Sequence, residues 1–190
     1  IPIHPEELGI DFLSASAHKF HGPKGIGFLY ASSADFDSYL HGGDQEQKKR
    51  AGTENLAAIV GMVAALKEDL EQQAEHYQKL EGLKSAFLDE IADLEYYLNE
   101  SQHQLPYVVN IGFPGKKNDL LLLRLDLEGI SISTGSACTA GVVQTSHVLE
   151  ALYGPDSHRL TESVRISLSP LNTEEELKQL AQALKNIIGD

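Results

Sequence analysis

Apolar residues change their spacing twice along this chain. Up to residue 30 they come in short clusters cut by turn formers; from residue 56 to 94 they recur every three or four positions; beyond 106 the two patterns alternate. The opening, IPIHPEELGIDFLSASAHKF, predicts a short strand, a turn at Pro5 and a second strand around Asp11 to Ser16. Gly22, Pro23 and Gly25 break the chain, and Ile26 to Tyr30 predicts a compact apolar strand. Short strands in succession suggest the tail of a sheet whose earlier strands are missing.

Leu56, Ile59, Val60, Val63, Leu66 and Leu70 fall on one helical face, and Leu80, Leu83, Phe87, Ile91 and Leu94 continue it. One long helix, or two with a break, is expected to end before Asn99. Strands are then predicted at Tyr107 to Phe113, Ile130 to Ser133 and Val164 to Leu168, with helices at Asp119 to Leu127 and Ser146 to Leu152. The last helix opens on a capping box, Thr173 with Glu176, and carries Leu177, Leu180, Leu184 and Ile187. These elements make a small α+β lobe. Its boundary is placed inside the long helical region, dividing the chain into 1–70 and 71–190.

A composition with 42% hydrophobic and 23% charged residues is that of a globular protein. No apolar run reaches membrane-spanning length, and no basic segment leads an apolar one as in a secretory signal. The chain begins with Ile1, which suggests a removed tag or a longer protein. A net charge of −13 argues against binding a phosphate backbone, though a local cationic pocket for a small anion remains open. The single cysteine, Cys138, forms no internal disulfide and no multi-thiolate metal site, so a reducing, cytoplasmic setting is expected.

Four stretches carry candidate chemistry. In SASAHKFHGPKGIGFLY, Lys19 stands at a strand end between Ser16, His18 and a Gly-Pro-Lys-Gly turn. A lysine so placed is a Schiff-base candidate, and Ser16 and His18 are candidate phosphate donors; a solvated lysine beside a turn is the competing reading. In HGGDQEQKKRAGTEN, three glycines, Arg50 and Thr53 precede a helix start. Such a start can bind an anion or simply carry a Thr cap. In SISTGSACTAG, Cys138 lies in a run of small polar residues, where a thiol is expected to be accessible and able to act as a nucleophile; a surface thiol with no role is the competing reading. In ESVRISLS, Arg165 points opposite to Val164 and Ile166. Its planar fork suits a carboxylate, and a solvent-facing arginine is the alternative.

Taken together, these motifs resemble the cysteine desulfurases of the NifS-like class, in the family's order and through essentially the whole chain. SASAHKFHGPKG is similar to the cofactor-lysine segment, HGGDQEQKKRAGTEN to the glycine-rich loop before the RAGTEN helix start, and TGSACTAG to the sulfur-accepting loop of the long-loop subgroup. VRISLS followed by NTEEEL is similar to the substrate-carboxylate strand and terminal helix. The resemblance implies an α/β fold: the tail of an aminotransferase-like, fold-type-I domain binding pyridoxal 5'-phosphate (PLP), plus a small α+β C-terminal domain. It implies that Lys19 carries the cofactor and moves protons, and that Ser16 and His18 contact the cofactor phosphate. Thr53 would reach the phosphate of the neighbouring subunit in a homodimer. Cys138 would take sulfur from L-cysteine as a persulfide, with transient iron–sulfur contact as a further role, and no resident metal. Arg165 would bind the substrate carboxylate, with Asn110 as a weaker substrate contact. The sulfur would pass to a carrier or scaffold protein for iron–sulfur cluster assembly or thio-modification.

One departure qualifies this. The family's ring-nitrogen aspartate and stacking histidine precede the lysine by many residues, and only 18 residues precede Lys19 here. His4 and Asp11 are in the wrong context to replace them, so the chain is expected to hold about half of one active site and to be inactive alone. An aminotransferase, a selenocysteine lyase or a non-catalytic partner-binding fragment are the alternatives. Transamination has no use for a loop thiol, which sets Cys138 against the first.

Overall fold

The computed structural model describes residues 1–33, 35–135 and 145–189. They form two compact units, Ile1–Glu75 and His76–Asp190. The division falls within the long helix, in which the sequence reading sets its boundary at 70/71.

In the first unit, β1 (Phe12–Ser16) pairs antiparallel with β2 (Gly27–Ala31), from Phe12 opposite Ala31 to Ser16 opposite Gly27. The strand expected at residues 1–5 does not form. Pro5 opens a turn instead, with the Leu8 N–H donating to the His4 carbonyl, the Ile10 N–H to the Pro5 carbonyl, and Gly9 at φ 63°. Between β1 and β2 a single 3-10 turn covers Ala17–Lys19. Residues Gln45–Lys48 form a one-turn element, α1, whose Glu46, Gln47 and Lys48 take φ values of 49°, 55° and 65°. Unit one buries few of its hydrophobic residues; among the described residues Ala17 and Met62 are the buried ones, while Phe12, Leu29, Leu56 and Val60 are exposed.

The helical periodicity gives one unbroken helix, α2 (Leu56–Glu90). It starts at Asn55, whose side-chain oxygen accepts from the Ala58 N–H at 3.2 Å. Asn55 thus supplies the cap that the sequence reading considered for Thr53.

A three-stranded antiparallel sheet of β3 (Tyr97–Leu98), β4 (Val108–Gly112) and β5 (Ser163–Ser167), in that order, organises the second unit. Its helices are α3 (Asn118–Leu127), α4 (His147–Tyr153), α5 (Arg159–Glu162) and α6 (Glu174–Gly189). Strand alternation divides the sheet into two faces. Val109, Ile111, Val164 and Ile166 enter a core shared with Phe87, Phe113, Leu125 and Leu184. The other face is polar and carries Asn110 opposite Arg165 and Gly112 opposite Ser163.

Two differences from the expected strands have local causes. The segment 130–133 alternates like a strand but gives only one bridge, Ser133 with Arg165. Gly129 at φ 77° and Gly135 at φ 74° turn the chain on either side of it. The third strand is instead β3, which pairs with β4 at the opposite edge and is only two residues long, therefore without a readable period. The final helix starts as expected. The Glu176 N–H donates to Thr173 Oγ1 at 3.3 Å, and Glu176 Oε2 accepts from the Thr173 N–H at 3.0 Å.

No helix among the described residues is long and apolar enough to cross a membrane.

Candidate functional site

The first cluster lies on the turn that follows β1. Ala17 is fully buried and pins this turn: its carbonyl accepts from the Phe20 N–H at 3.0 Å and the Gly22 N–H at 2.8 Å. Two glycines allow the tight return. A Cβ on Gly22 would stand 2.9 Å from the Ala17 Cβ, and one on Gly27 would stand 2.3 Å from the Ala15 carbonyl oxygen. With the backbone held from inside, Ser16, His18 and Lys19 are all exposed. Their side chains make no hydrogen bond among the described residues. A hydroxyl, an imidazole and a primary amine on one turn form a donor set suited to a phosphate ester bearing an aldehyde, since amine and aldehyde condense and the other two donate to phosphate oxygens.

The glycine-rich loop belongs to the same unit. The Ala51 N–H donates to the Leu40 carbonyl at 3.2 Å, and Ser38 Oγ bonds the Lys49 carbonyl at 3.0 Å. Arg50 Nη1 bonds the Gly52 carbonyl at 2.7 Å, and Gln45 Oε1 accepts from the Gly52 N–H at 3.1 Å. Arg50 therefore braces its own loop. Thr53 is exposed just beyond, its hydroxyl unbonded among the described residues.

The second cluster occupies the polar face of the three-stranded sheet. Arg165 sits on β5 between two polar neighbours, with Asn110 opposite it on β4 and Ser133 bridged to its other side. Its backbone exchanges both hydrogen bonds with Ser133, at 2.7 and 3.1 Å. Its Nη2 reaches Ser133 Oγ at 3.5 Å. Its Nε is buried and has no hydrogen-bond partner among the described residues. A buried N–H on a cation without an acceptor is costly, about 1–3 kcal/mol or more, unless a ligand completes it. This favours a binding role over that of a solvated strand arginine.

Asn110 is held from the side away from Arg165. Asn99 Nδ2 donates to Asn110 Oδ1 at 2.7 Å and to Ser163 Oγ at 2.8 Å. Asn99 Oδ1 accepts from Arg159 Nη1 at 2.5 Å, and Leu98 carbonyl receives the same nitrogen at 3.4 Å. The Arg159 guanidinium lies over the rings of Tyr97, at 4.2 Å, and Tyr153, at 4.4 Å. Burial pushes the Tyr97 phenol above its ordinary pKa, and the Glu162 carboxylate beside it acts the same way against the opposing hydrogen bond with Ser163. The phenol therefore stays protonated and donates to Glu162 Oε2 at 3.2 Å.

Ser16, His18 and Lys19 thus share one turn, and Asn110 and Arg165 share one sheet face. Cys138 lies outside the described residues. Asn99, Ser133 and Arg159 escaped the sequence reading. Strand alternation would have placed Ser163 beside Arg165, but nothing in the sequence ties Arg159 to a residue 60 positions earlier. Among the described residues no group of three or more His, Cys, Asp or Glu side chains could hold a metal ion.

Comparison with known proteins adds family evidence. The class-V aminotransferase profile matches residues 1–180. The chain is 40% identical to the cysteine desulfurase IscS of Dictyoglomus turgidum over 192 residues, covering 99% of this chain and 48% of the relative. Among solved structures it is similar to a NifS-like protein at TM-score 0.86 and 33% identity, covering 100% of this chain and 49% of that one. A NifS-like protein from Rickettsia africae gives TM-score 0.85 at 28% identity, with 100% and 51% covered. The chain spans about half the length of the curated relatives it matches.

Proposed function

The chain belongs to the class-V aminotransferase family, and from that premise we propose that it is the lysine- and thiol-bearing half of a PLP-dependent cysteine desulfurase. In this reading the residues of Ile1–Glu75 end the large cofactor domain and those of His76–Asp190 form the small domain. The observation that supports it is the buried Nε of Arg165, without a partner among the described residues and on a strand position opposite Asn110, an arrangement that suits a carboxylate. Identity to cysteine desulfurases along nearly the whole chain supports the choice of reaction.

When bound, PLP supplies the electron sink that labilises bonds at the substrate α-carbon. The chain's own residues do the rest. Lys19 would hold the aldehyde through its amine and, when its amine is free, would accept and return protons. Ser16 and His18 donate to the phosphate, and Thr53 does so from the partner in a homodimer. Arg165 binds the α-carboxylate through its fork, fixing the side of the substrate from which its sulfur projects. The Cys138 thiolate attacks that sulfur. A sulfur–sulfur bond forms, the carbon–sulfur bond breaks, and the carbon retains the electron pair and takes a proton, so that alanine leaves. A carrier or scaffold protein then collects the sulfur from the Cys138 persulfide. A cytoplasmic setting fits this thiol chemistry.

The test is reduction of the full-length protein with borohydride in the presence of PLP, followed by peptide mapping. The cofactor is expected on the peptide containing Lys19. A label on Lys24, Lys48 or Lys49 instead would refute the assignment.

A further inference from the structure

Two amide side chains and one guanidinium form a chain across the polar face of the second unit, and its polarity is set from one end. Arginine donates and never accepts, so Arg159 can meet Asn99 only at its carbonyl oxygen. That contact, 2.5 Å long, fixes which way the Asn99 amide faces. Its Nδ2 must then donate, and it does so to Asn110 Oδ1 and Ser163 Oγ. With the Asn110 oxygen taken, its own NH2 group is what remains to offer. No acceptor for it is found among the described residues. Asn110 and Arg165 are directly opposite in the antiparallel ladder, so their side chains rise from one face, with Cβ atoms about 4.5–5.5 Å apart.

We propose that Arg159, acting through Asn99, is a positioning residue that turns the Asn110 amide so that its N–H donors stand beside Arg165, making a two-residue carboxylate clamp. The inference rests on the reading that Arg165 binds the substrate carboxylate. Without Arg159 the Asn99 amide can invert and donate elsewhere. Asn110 can then invert too, and its oxygen, which repels a carboxylate, takes the place of its donors. Arg159 is well suited to hold this setting. The rings of Tyr97 and Tyr153 flank its guanidinium and restrict its rotamers. Tyr97 is restrained in turn: its ring lies so close to Gly112 that a Cβ there would stand 2.3 Å from Cζ.

The experiment uses the full-length protein loaded with PLP and measures KM and kcat for L-cysteine. The variants are Arg159→Met, which removes the donor, Asn99→Asp, Asn110→Ala, each of the first two combined with Asn110→Ala, and Arg165→Lys. Thermal unfolding is followed for all. Arg159→Met is expected to raise KM roughly tenfold, the worth of one hydrogen bond to a charged group, with kcat less affected. Asn99→Asp replaces the donor with an acceptor, so it forces the inversion and is expected to raise KM further. In the Asn110→Ala background neither change is expected to add to KM, because the residue they act through is gone. KM increases that multiply in the double variants, or an unchanged KM in Arg159→Met and Asn99→Asp, would overturn the relay. Arg165→Lys separates the two claims. If it raises KM while the Arg159 and Asn99 variants do not, the relay alone fails. If it leaves KM unchanged, the carboxylate reading beneath it fails. Should Asn99→Asp unfold, Arg159→Met with its double variant decides.

Discussion

Arg165 occupies the outward position of a strand whose neighbours Val164 and Ile166 face the core. Alternation alone settles that much. What it could not tell was whether the outward side meets open water. The buried Nε, without a partner among the described residues, supports the binding reading, because solvent would otherwise satisfy it. Arg165→Lys retains the charge and loses the fork. Substrate binding is expected to weaken by about 1.5–3 kcal/mol, the range for charge-assisted hydrogen bonds, seen mainly in KM for cysteine. An unchanged KM would remove Arg165 from the site. The lysine turn was legible in sequence for a different reason: its residue types sit within four positions of one another, from Ser16 to Lys19. The Arg159–Asn99–Asn110 chain was not, since its members come from α5, the end of β3 and β4, and only tertiary pairing unites them.

Elements were readable in proportion to their length. The 35-residue helix α2 and the 16-residue helix α6 repeat their period often enough to be recognised. Two-residue β3 does not, and the alternating segment 130–133 was misleading because flanking glycines turn it out of the ladder. Two substitutions test the element-level account. Gly27→Ala places a Cβ 2.3 Å from the Ala15 carbonyl oxygen, which must push β2 away from β1 and displace the turn that carries Lys19. The full-length variant is expected to lose bound PLP absorbance; retention at the parent level would contradict the role given to that pairing. Thr173→Ala removes the α6 cap and is expected to cost about 1 kcal/mol in denaturant unfolding. Glu176, on the same box, has its carboxyl held below the usual range by the Asn172 amide first and the Thr173 N–H next. A carboxyl lowered on folding contributes stability that is present above its unfolded pKa and lost as pH falls through the folded one. Glu176→Gln is therefore expected to flatten the acid side of the stability profile; an unchanged profile would show the box to be idle.

At the scale of the molecule the two units differ in how they bury apolar surface. The second carries the continuous hydrophobic core, while the first leaves Phe12, Leu29, Leu56 and Val60 exposed. In the proposed reading such exposed apolar residues meet further protein. In the proposed reading, that protein includes the half of a desulfurase that supplies the ring-nitrogen carboxylate and stacking histidine, neither of which these 190 residues contain in the expected context. The fold class was legible at this scale because four motifs occur in a fixed order. How Cys138 approaches a substrate was not, because the run of Ser, Thr, Gly and Ala around it carries no period to read. The central claim is that this chain supplies the sulfur-accepting thiol of a cysteine desulfurase, and sulfur itself reports on it. The full-length protein, loaded with PLP and given L-cysteine without reductant, should be digested and its peptides weighed. The account expects the peptide containing Cys138 to gain the mass of one sulfur atom, removable by dithiothreitol, with an equivalent of alanine released. Alanine formed at the parent rate by a Cys138→Ala variant, with no sulfur ever found on the Cys138 peptide of the parent, would contradict it.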